Sequence, residues 1–138
     1  MKKYALLVLF AGLTLTSCDT ATLPSSVSEV QGNWELQAFE LNDGSTIAVP
    51  NPEKFTARFN ADDSLQLTVD CNRCNGSYEA NGNNLTIEPL MACTLAYCGD
   101  DSLDSTYMAA LGSISRYARQ GQELLIDYAD GTMRFNLN

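Results

Sequence analysis

Apolar and polar residues alternate with period two through most of the chain after residue 31, and short polar turns separate the alternating runs. The clearest hairpin is predicted over residues 55–70, and a second is predicted over residues 77–88. In the second hairpin, Asn81-Gly82-Asn83-Asn84 supplies residues that tolerate the positive φ of a tight turn. Because period two puts one side of each strand on the core and the other in solvent, these runs predict an antiparallel sheet.

Further strands are predicted on both sides of these hairpins. Residues 34–41 alternate with a change of phase between Ala38 and Phe39, which indicates a β-bulge. The other predicted strands are residues 46–49, 115–119, 124–128 and 133–137. The first of these four ends at Pro50, because proline cannot join a central ladder.

One segment has a helical period. Four apolar residues recur there at intervals of four, four and three, namely Leu103, Tyr107, Leu111 and Ile114. A helix is therefore predicted from Asp101 to about Ile114, with Asp100 or Asp101 placed to cap its first turn. The predicted fold class is α+β, a strongly curved antiparallel sheet or small open β-barrel with one inserted helix.

The N-terminus has the layout of an export signal. Lys2 and Lys3 precede an apolar stretch, residues 4–15, that carries no charge and is too short for a comfortable membrane span. The tetrapeptide Leu15-Thr16-Ser17-Cys18 then resembles the lipobox of bacterial lipoproteins, in which small residues precede a cysteine that takes up the lipid. The alternative is ordinary signal cleavage beside a chance cysteine.

These features predict the organisation of the chain. We expect residues 1–17 to be a lipoprotein signal peptide and Cys18 to be the lipidated residue. Residues 18–30 are predicted to be a flexible tether, because they are mostly small, polar or proline-bearing. Residues 31–138 are predicted to form one domain. Contact with the membrane would then be through the lipid anchor.

The net charge and the absence of histidine exclude several classes of function. Cleavage before Cys18 would leave 6 of the 8 basic residues against 17 acidic ones, and the formal charge would move from −9 to −11. An acidic domain repels phosphate backbones, so we expect no nucleic-acid partner. Without histidine the usual hydrolase triads and histidine-bound zinc are excluded. Carboxylate chemistry remains open, but no spacing marks a pair, so we expect no catalytic, cofactor or metal site.

The four cysteines of the mature domain are the most informative residues about its chemistry. Cys71 and Cys74 are separated by 18 residues from the second pair, Cys93 and Cys98. The spacing fits a four-thiolate zinc site, a redox-active pair at Cys71 and Cys74, or two structural disulfides. Export favours disulfides, because an oxidising compartment pairs thiols. Of the three connectivities, cross-pairing of the two loops is preferred, with Cys71 to Cys93 and Cys74 to Cys98 as the first choice.

Several short motifs occur in an order that resembles a known family. They are Gly32-Asn33-Trp34-Glu35-Leu36, Asp70-Cys71-Asn72, Gly76-Ser77-Tyr78, Leu85-Thr86-Ile87 and Met91-Ala92-Cys93-Thr94. Together they resemble the META domain of HslJ-like bacterial lipoproteins over nearly all of residues 31–137. The residues that match the family pattern one by one are Cys71, Asn72, Gly76, Tyr78 and Cys93. Asp70 stands where that family has glycine, and Cys74 and Cys98 look like an additional pair.

The matched residues are most simply read as structural. Trp34 on a strand is expected to be core, and Asn72 can satisfy the backbone groups of a turn. Gly76 would permit close approach of a neighbour, and Tyr78 would pack with its hydroxyl at the rim.

What the resemblance implies for function is a non-enzymatic envelope protein associated with stress or envelope integrity. We expect it to act through an unknown envelope protein partner, with exposed loops around Cys74 and residues 93–101 as the contact surface. One alternative is a lipocalin-like carrier of a small apolar ligand, because Gly32-Asn33-Trp34 also resembles the opening motif of lipocalins. Another is an enzyme, either a thiol redox protein or a carboxylate hydrolase.

Overall fold

The computed structural model describes residues 29–89 and 91–138. The predicted signal peptide, Cys18 and most of the predicted tether lie outside the described residues. Val30, the last residue of the predicted tether, is fully buried in the core. The described core residues all lie between Val30 and Phe135. None of the helices in these two segments has the length and apolarity that a membrane crossing requires.

The described residues form ten strands and one α-helix, with a short 3-10 helix at Pro52–Lys54. The strands are β1 (Gly32–Leu41), β2 (Thr46–Ala48), β3 (Phe55–Phe59), β4 (Ser64–Val69), β5 (Asn72–Asn81), β6 (Asn84–Ile87), β7 (Ala92–Cys93), β8 (Arg116–Gln120), β9 (Glu123–Tyr128) and β10 (Gly131–Leu137). The helix α1 (Asp104–Leu111) lies between β7 and β8. The fold is therefore mostly β, with the helix inserted where a helix was predicted.

Eight strands form a closed antiparallel barrel in the order β1, β3, β4, β5, β6, β8, β9, β10. The ring closes because β10 pairs with β1, from Trp34 opposite Leu137 to Leu41 opposite Gly131. β2 and β7 lie outside this ring and pair with β1 and β5. We predicted a curved sheet or a small open barrel, and the observed barrel is closed. Closure removes the unpaired edges that an open sheet would expose, and alternation alone does not reveal which edges meet.

The predicted bulge in β1 is confirmed. The register of β1 against β10 shifts between Leu36 and Ala38. As a result Ala38 and Phe39, which are adjacent in sequence, are both buried. The bulge changes which side of the strand faces inward, as the phase change in the sequence indicated.

Large side chains fill the space inside the barrel wall. The largest fully buried ones include Trp34, Tyr107, Phe39, Phe59, Phe135 and Leu65. Helix α1 contributes Tyr107, whose ring lies edge-on to Phe55 at 6.0 Å between centroids and is tilted against Phe135 at 6.3 Å. The helix therefore packs into the same core as the strands.

Helix α1 is shorter than predicted at both ends. It begins at Asp104 and not at Asp101, and its N-cap is Leu103, which makes no side-chain capping bond. The predicted capping by Asp100 or Asp101 was wrong. The Ser102 hydroxyl instead accepts a bond from the Asp104 N–H at 3.1 Å and donates to Asp70 at 2.7 Å. These contacts hold the chain before Asp104 in a turn, so the first apolar position lies outside the helix.

Candidate functional site

The candidate site is built where β7 meets the β4–β5 hairpin. β4 and β5 are joined by a tight turn at Asp70 and Cys71, since Val69 pairs directly with Asn72. β7 then lies antiparallel to β5, with Cys93 opposite Cys74 and Ala92 opposite Asn75. From there the chain forms an irregular segment before α1, residues 94–103, which we call the cystine loop. The sequence missed β7, because two residues show no periodicity.

Two disulfides attach this region to the barrel. Cys74 bonds to Cys93, with a Cα separation of 4.1 Å, and Cys71 bonds to Cys98, with a Cα separation of 5.6 Å. The predictions that all four cysteines form disulfides, and that the pairs cross between the two loops, are confirmed. The four-thiolate zinc site and a redox bond between Cys71 and Cys74 are not formed.

The predicted connectivity was wrong. Cys71 to Cys93 and Cys74 to Cys98 would keep the two chain segments running in the same direction. β5 and β7 run antiparallel, so the two inner cysteines, Cys74 and Cys93, pair and the two outer ones pair outside them. The pairing follows from strand direction, which the cysteine spacing does not contain.

Asn72 holds the cystine loop through its side-chain amide. It is buried, its Nδ2 donates to the Ala96 carbonyl at 2.9 Å, and its Oδ1 accepts from the Ala96 N–H at 2.8 Å. Asn72 Oδ1 also accepts from the Thr94 hydroxyl at 2.9 Å. The Thr94 hydroxyl oxygen in turn accepts from the Arg73 N–H at 3.0 Å. Asn72 thus satisfies backbone groups, as predicted, but those of a loop distant in sequence and not of its own turn.

Asp70 ties the turn to two neighbouring elements. Its φ of 54° lies in the left-handed region, which favours the glycine that the resemblance led us to expect at this position. Its carboxylate lies 3.4 Å from Lys54 Nζ and accepts a bond from the Ser102 hydroxyl. These two contacts offset the strain of a side chain at positive φ, and they connect the turn to the start of α1.

Two large apolar side chains of the cystine loop face solvent. Leu95 is 93% exposed and Tyr97 is 79% exposed. The Tyr97 hydroxyl donates to the Asp100 carboxylate, and this bond raises the pKa of Tyr97 above its ordinary value. Beside the loop is a groove of about 200 Å³ between β5 and α1, lined among others by Val69, Cys93, Leu95, Asp104 and Met108. The loop and groove form a mixed apolar and acidic surface.

The other predicted residues lie in the barrel wall and not at the cystine loop. Trp34 is fully buried, its indole N–H donates to the Val30 carbonyl at 2.7 Å, and the Arg119 guanidinium lies 5.1 Å from its ring centroid. A Cβ on Gly76 would lie 2.7 Å from Met91 Cγ, so this glycine permits close approach of a side chain.

Tyr78 also belongs to the wall. It packs edge-on against Phe59 at 4.9 Å, and its hydroxyl donates to the Asn60 carbonyl at 2.8 Å. Burial raises the pKa of Tyr78. Trp34, Gly76 and Tyr78 therefore act in packing, and the structure brings only Asn72 together with the four cysteines.

The cysteines of this site are structural. All four cysteines in the described part of the chain are disulfide-bonded. Within residues 29–89 and 91–138, no group of three or more Cys, Asp or Glu side chains is arranged to hold a metal ion. What the site offers is a fixed backbone with exposed side chains. The sequence indicated residues 93–101 as a contact surface but did not single out Leu95 and Tyr97, although two apolar residues between two cysteines were a usable signal.

Comparison with known proteins gives a family match and several fold matches. A family model described as the META domain matches residues 27–137. No curated protein matches the chain. An NMR structure of a protein from Burkholderia xenovorans is 20% identical with a TM-score of 0.66, covering 91% of this chain and 99% of that one.

A crystal structure of a DUF4847 family protein from Bacteroides vulgatus is 15% identical with a TM-score of 0.58, covering 78% of this chain and 93% of that one. A further NMR structure is 20% identical with a TM-score of 0.55, covering 78% and 89%. At these identities the solved structures establish a shared fold. The descriptions of the family model and of these structures name no reaction.

Proposed function

The chain belongs to the META domain family, and on that premise we propose that it is a lipid-anchored, non-enzymatic protein of the bacterial cell envelope whose cystine loop contacts a partner protein. Its physiological role is in envelope stress or integrity. The two disulfides support a location outside the cytoplasm, because reducing compartments keep thiols unpaired. The lipobox-like segment ending at Cys18 supports anchoring.

The observation that carries the contact proposal is the exposure of Leu95 and Tyr97 on a fixed loop. Two large apolar side chains gain free energy when a partner removes them from water, and tyrosine is enriched among residues that dominate interface energies. Two disulfides and the Asn72 bonds already order the loop backbone. Binding therefore costs less conformational entropy than it would with a mobile loop.

The partner surface that fits is apolar and bordered by basic groups. Asp100 and Asp101 follow the exposed side chains, and Asp104 lines the adjacent groove. Complementary charge at the rim of an interface raises the association rate and selects among partners. A basic rim around an apolar centre is thus the complement of this surface.

The filled interior argues against the lipocalin-like carrier. Side chains such as Trp34, Phe59 and Phe135 occupy the space where a carrier would hold its ligand, and each is at most 2% exposed. The pocket of about 380 Å³ lies on the outer face of the strands and is mostly polar in lining.

Anchoring is tested by detergent phase partition of the protein made in a bacterium. Wild type is expected in the detergent phase, and Cys18→Ala in the aqueous phase, because the lipid supplies the apolar area. A wild-type protein that partitions with water would show that anchoring is wrong.

The contact proposal is tested by placing a photo-crosslinking residue at position 97 in the native cell. The matched control is the same residue at position 122, in the exposed turn between β8 and β9. We expect a product of defined mass from position 97 only, and competition by soluble residues 19–138. The soluble variant Leu95→Ser with Tyr97→Ser should not compete, and equal competition by that variant would overturn the proposal.

A further inference from the structure

The outer face of the barrel carries a second feature, a shallow pocket of about 380 Å³ on β1, β3, β4 and β5. Outward-facing polar side chains line most of it, among them Asn33, Arg58, Gln66, Thr68, Arg73 and Asn75. It lies on the opposite side of the wall from the core, because these residues alternate with buried ones along each strand. The cystine loop does not line it.

The strand register places the two arginines around one centre. Arg58 on β3 lies opposite Gln66 on β4, and Arg73 on β5 lies opposite Thr68 on β4. The arginines are therefore two strands and two residues apart, which sets their Cα atoms at about 12 Å. Arginine side chains are long enough to reach a common ligand above Gln66 and Thr68 from that Cα separation.

The charge of this pocket is opposite to that of the molecule. The chain has 17 acidic and 8 basic residues, yet the pocket lining includes two arginines and no carboxylate. None of the ion pairs among the described residues involves Arg58 or Arg73, and the Arg73 guanidinium donates to the Asn72 carbonyl at 3.1 Å. Glu35, opposite Thr56 at the side of the pocket, accepts a bond from Asn138 at 2.7 Å.

Unpaired guanidinium groups bind carboxylate and phosphate oxygens through paired N–H bonds. The amides and hydroxyls around them are both donors and acceptors, as sugar hydroxyls require. No aromatic ring lines the pocket, so it offers no surface on which an uncharged sugar or a base would stack. The lining thus fits a ligand whose charge, and not an apolar face, provides the affinity.

We propose that this pocket binds a sugar bearing an oxyanion, either a carboxylate or a phosphate. Arg58 and Arg73 hold the charged group, and Gln66, Thr68 and Asn75 bond to the hydroxyls. The class of ligand is an acidic or phosphorylated glycan outside the cytoplasm. The inference is independent of the cystine loop, because the two surfaces share only Cys74 among their lining residues.

The test is titration of isotope-labelled residues 19–138, followed by amide chemical shifts. The probes are glucuronate, glucose 6-phosphate, inorganic phosphate, glucose and vesicles of phosphatidylglycerol. Shifts in β3, β4 and β5 are expected with the two charged sugars. Arg58→Gln with Arg73→Gln should weaken their binding at least tenfold, whereas Arg116→Gln, an exposed arginine on β8, should not.

Each remaining outcome would overturn the proposal. Inorganic phosphate or phosphatidylglycerol vesicles binding as tightly as glucose 6-phosphate would show that the sugar is not recognised. Glucose binding as tightly as glucuronate would show that the arginines are not the determinant. No localised shift with either charged sugar would show that the pocket is not a ligand site, and the crosslinking result at position 97 would be unaffected.

Discussion

The barrel wall and the cystine loop are stabilised by different forces. In the wall, residues such as Trp34, Leu36 and Phe59 are at most 2% exposed, so burial of apolar area stabilises the structure. In the loop, Leu95 and Tyr97 remain in water while two disulfides and the amide of Asn72 fix the backbone. The wall buries its apolar side chains, and the loop leaves two large ones exposed to solvent.

In the cystine loop, the conformation of the backbone therefore depends little on which side chains the loop exposes. Residues in the wall cannot change volume without affecting the core. The backbone of the loop is held mainly by Cys98 and by bonds to the main chain of Ala96, and the Tyr97 hydroxyl adds one bond within the loop, to Asp100. A loop of this kind can vary its exposed residues for recognition while the barrel is unchanged.

The largest effect is expected from the wall. Trp34→Ala should reduce the free energy of unfolding by about 4 kcal/mol, because it leaves a cavity in the core. It also removes the bond to the Val30 carbonyl and the contact with Arg119. Chemical denaturation followed by circular dichroism measures this loss.

A milder variant keeps that prediction testable if Trp34→Ala does not fold. Phe59→Leu should cost about 1 kcal/mol, and both wall variants should unfold loop and barrel together. If Trp34→Ala were as stable as wild type, burial of apolar side chains would not be what stabilises the barrel wall.

Removing the inner disulfide should have the next largest effect. Cys74→Ala with Cys93→Ala should lower the free energy of unfolding by about 3 kcal/mol, since the unfolded chain is no longer constrained. Hydrogen exchange should accelerate most in the cystine loop and at β7, while the barrel amides should accelerate only by the loss of global stability. Equal acceleration in the loop and in the barrel would show that the disulfide does not hold the loop locally.

Asn72→Ala should be less damaging. It leaves the N–H and carbonyl of Ala96 without their partner, and we expect a cost of about 2 kcal/mol with the largest acceleration of exchange at residues 94–98. The matched control is Asn75→Ala, an exposed asparagine on the same strand, which should be close to neutral. Similar losses for both variants would show that the Asn72 amide does not hold the loop.

The smallest effect on stability is expected at Tyr107, whose polar hydroxyl is buried in the core of the barrel. Its buried hydroxyl has no hydrogen-bond partner among the described residues. Tyr107→Phe should therefore raise stability at neutral pH by up to about 1 kcal/mol. A clear loss of stability would show that the hydroxyl is satisfied.

The same residue has a pH signature. The ordinary tyrosine pKa is 10.0, and complete burial raises the pKa of Tyr107 far above it. The folded protein thus keeps a proton that the unfolded chain releases above pH 10, so the free energy of unfolding is independent of this group's titration below pH 10 and falls as the pH rises further. Tyr107→Phe should lose less stability above pH 10 than wild type, as measured by denaturation at a series of pH values.

The sequence predicted local structure where the periodicity was clear. The hairpin over residues 55–70 and the bulge in β1 were found because alternation reports which side of a strand is buried. β5 was predicted only from Ser77, although it begins at Asn72, because the polar residues and cysteines there hide the alternation. The helix was overextended because its apolar spacing continues past Leu111, where α1 ends.

The candidate site was predicted in part. Export and spacing indicated disulfides at Cys71, Cys74, Cys93 and Cys98, since the redox compartment determines whether thiols pair. The partners were not predictable, because they depend on the antiparallel approach of β7 to β5. The contacts of Asp70 with Lys54 and Ser102 likewise join segments with no sequence relation.

The sequence by itself determined the antiparallel strands, the position of the inserted helix, the use of cysteines as disulfides and the family. These depend on periodicity, composition and short motifs, which are properties of neighbouring residues. Only the tertiary structure decided the closure of β10 on β1, the pairing of Cys71 with Cys98 and the fixed exposure of Leu95 and Tyr97. Each of these depends on which distant segments meet, and that choice is made by packing of the whole chain around one core.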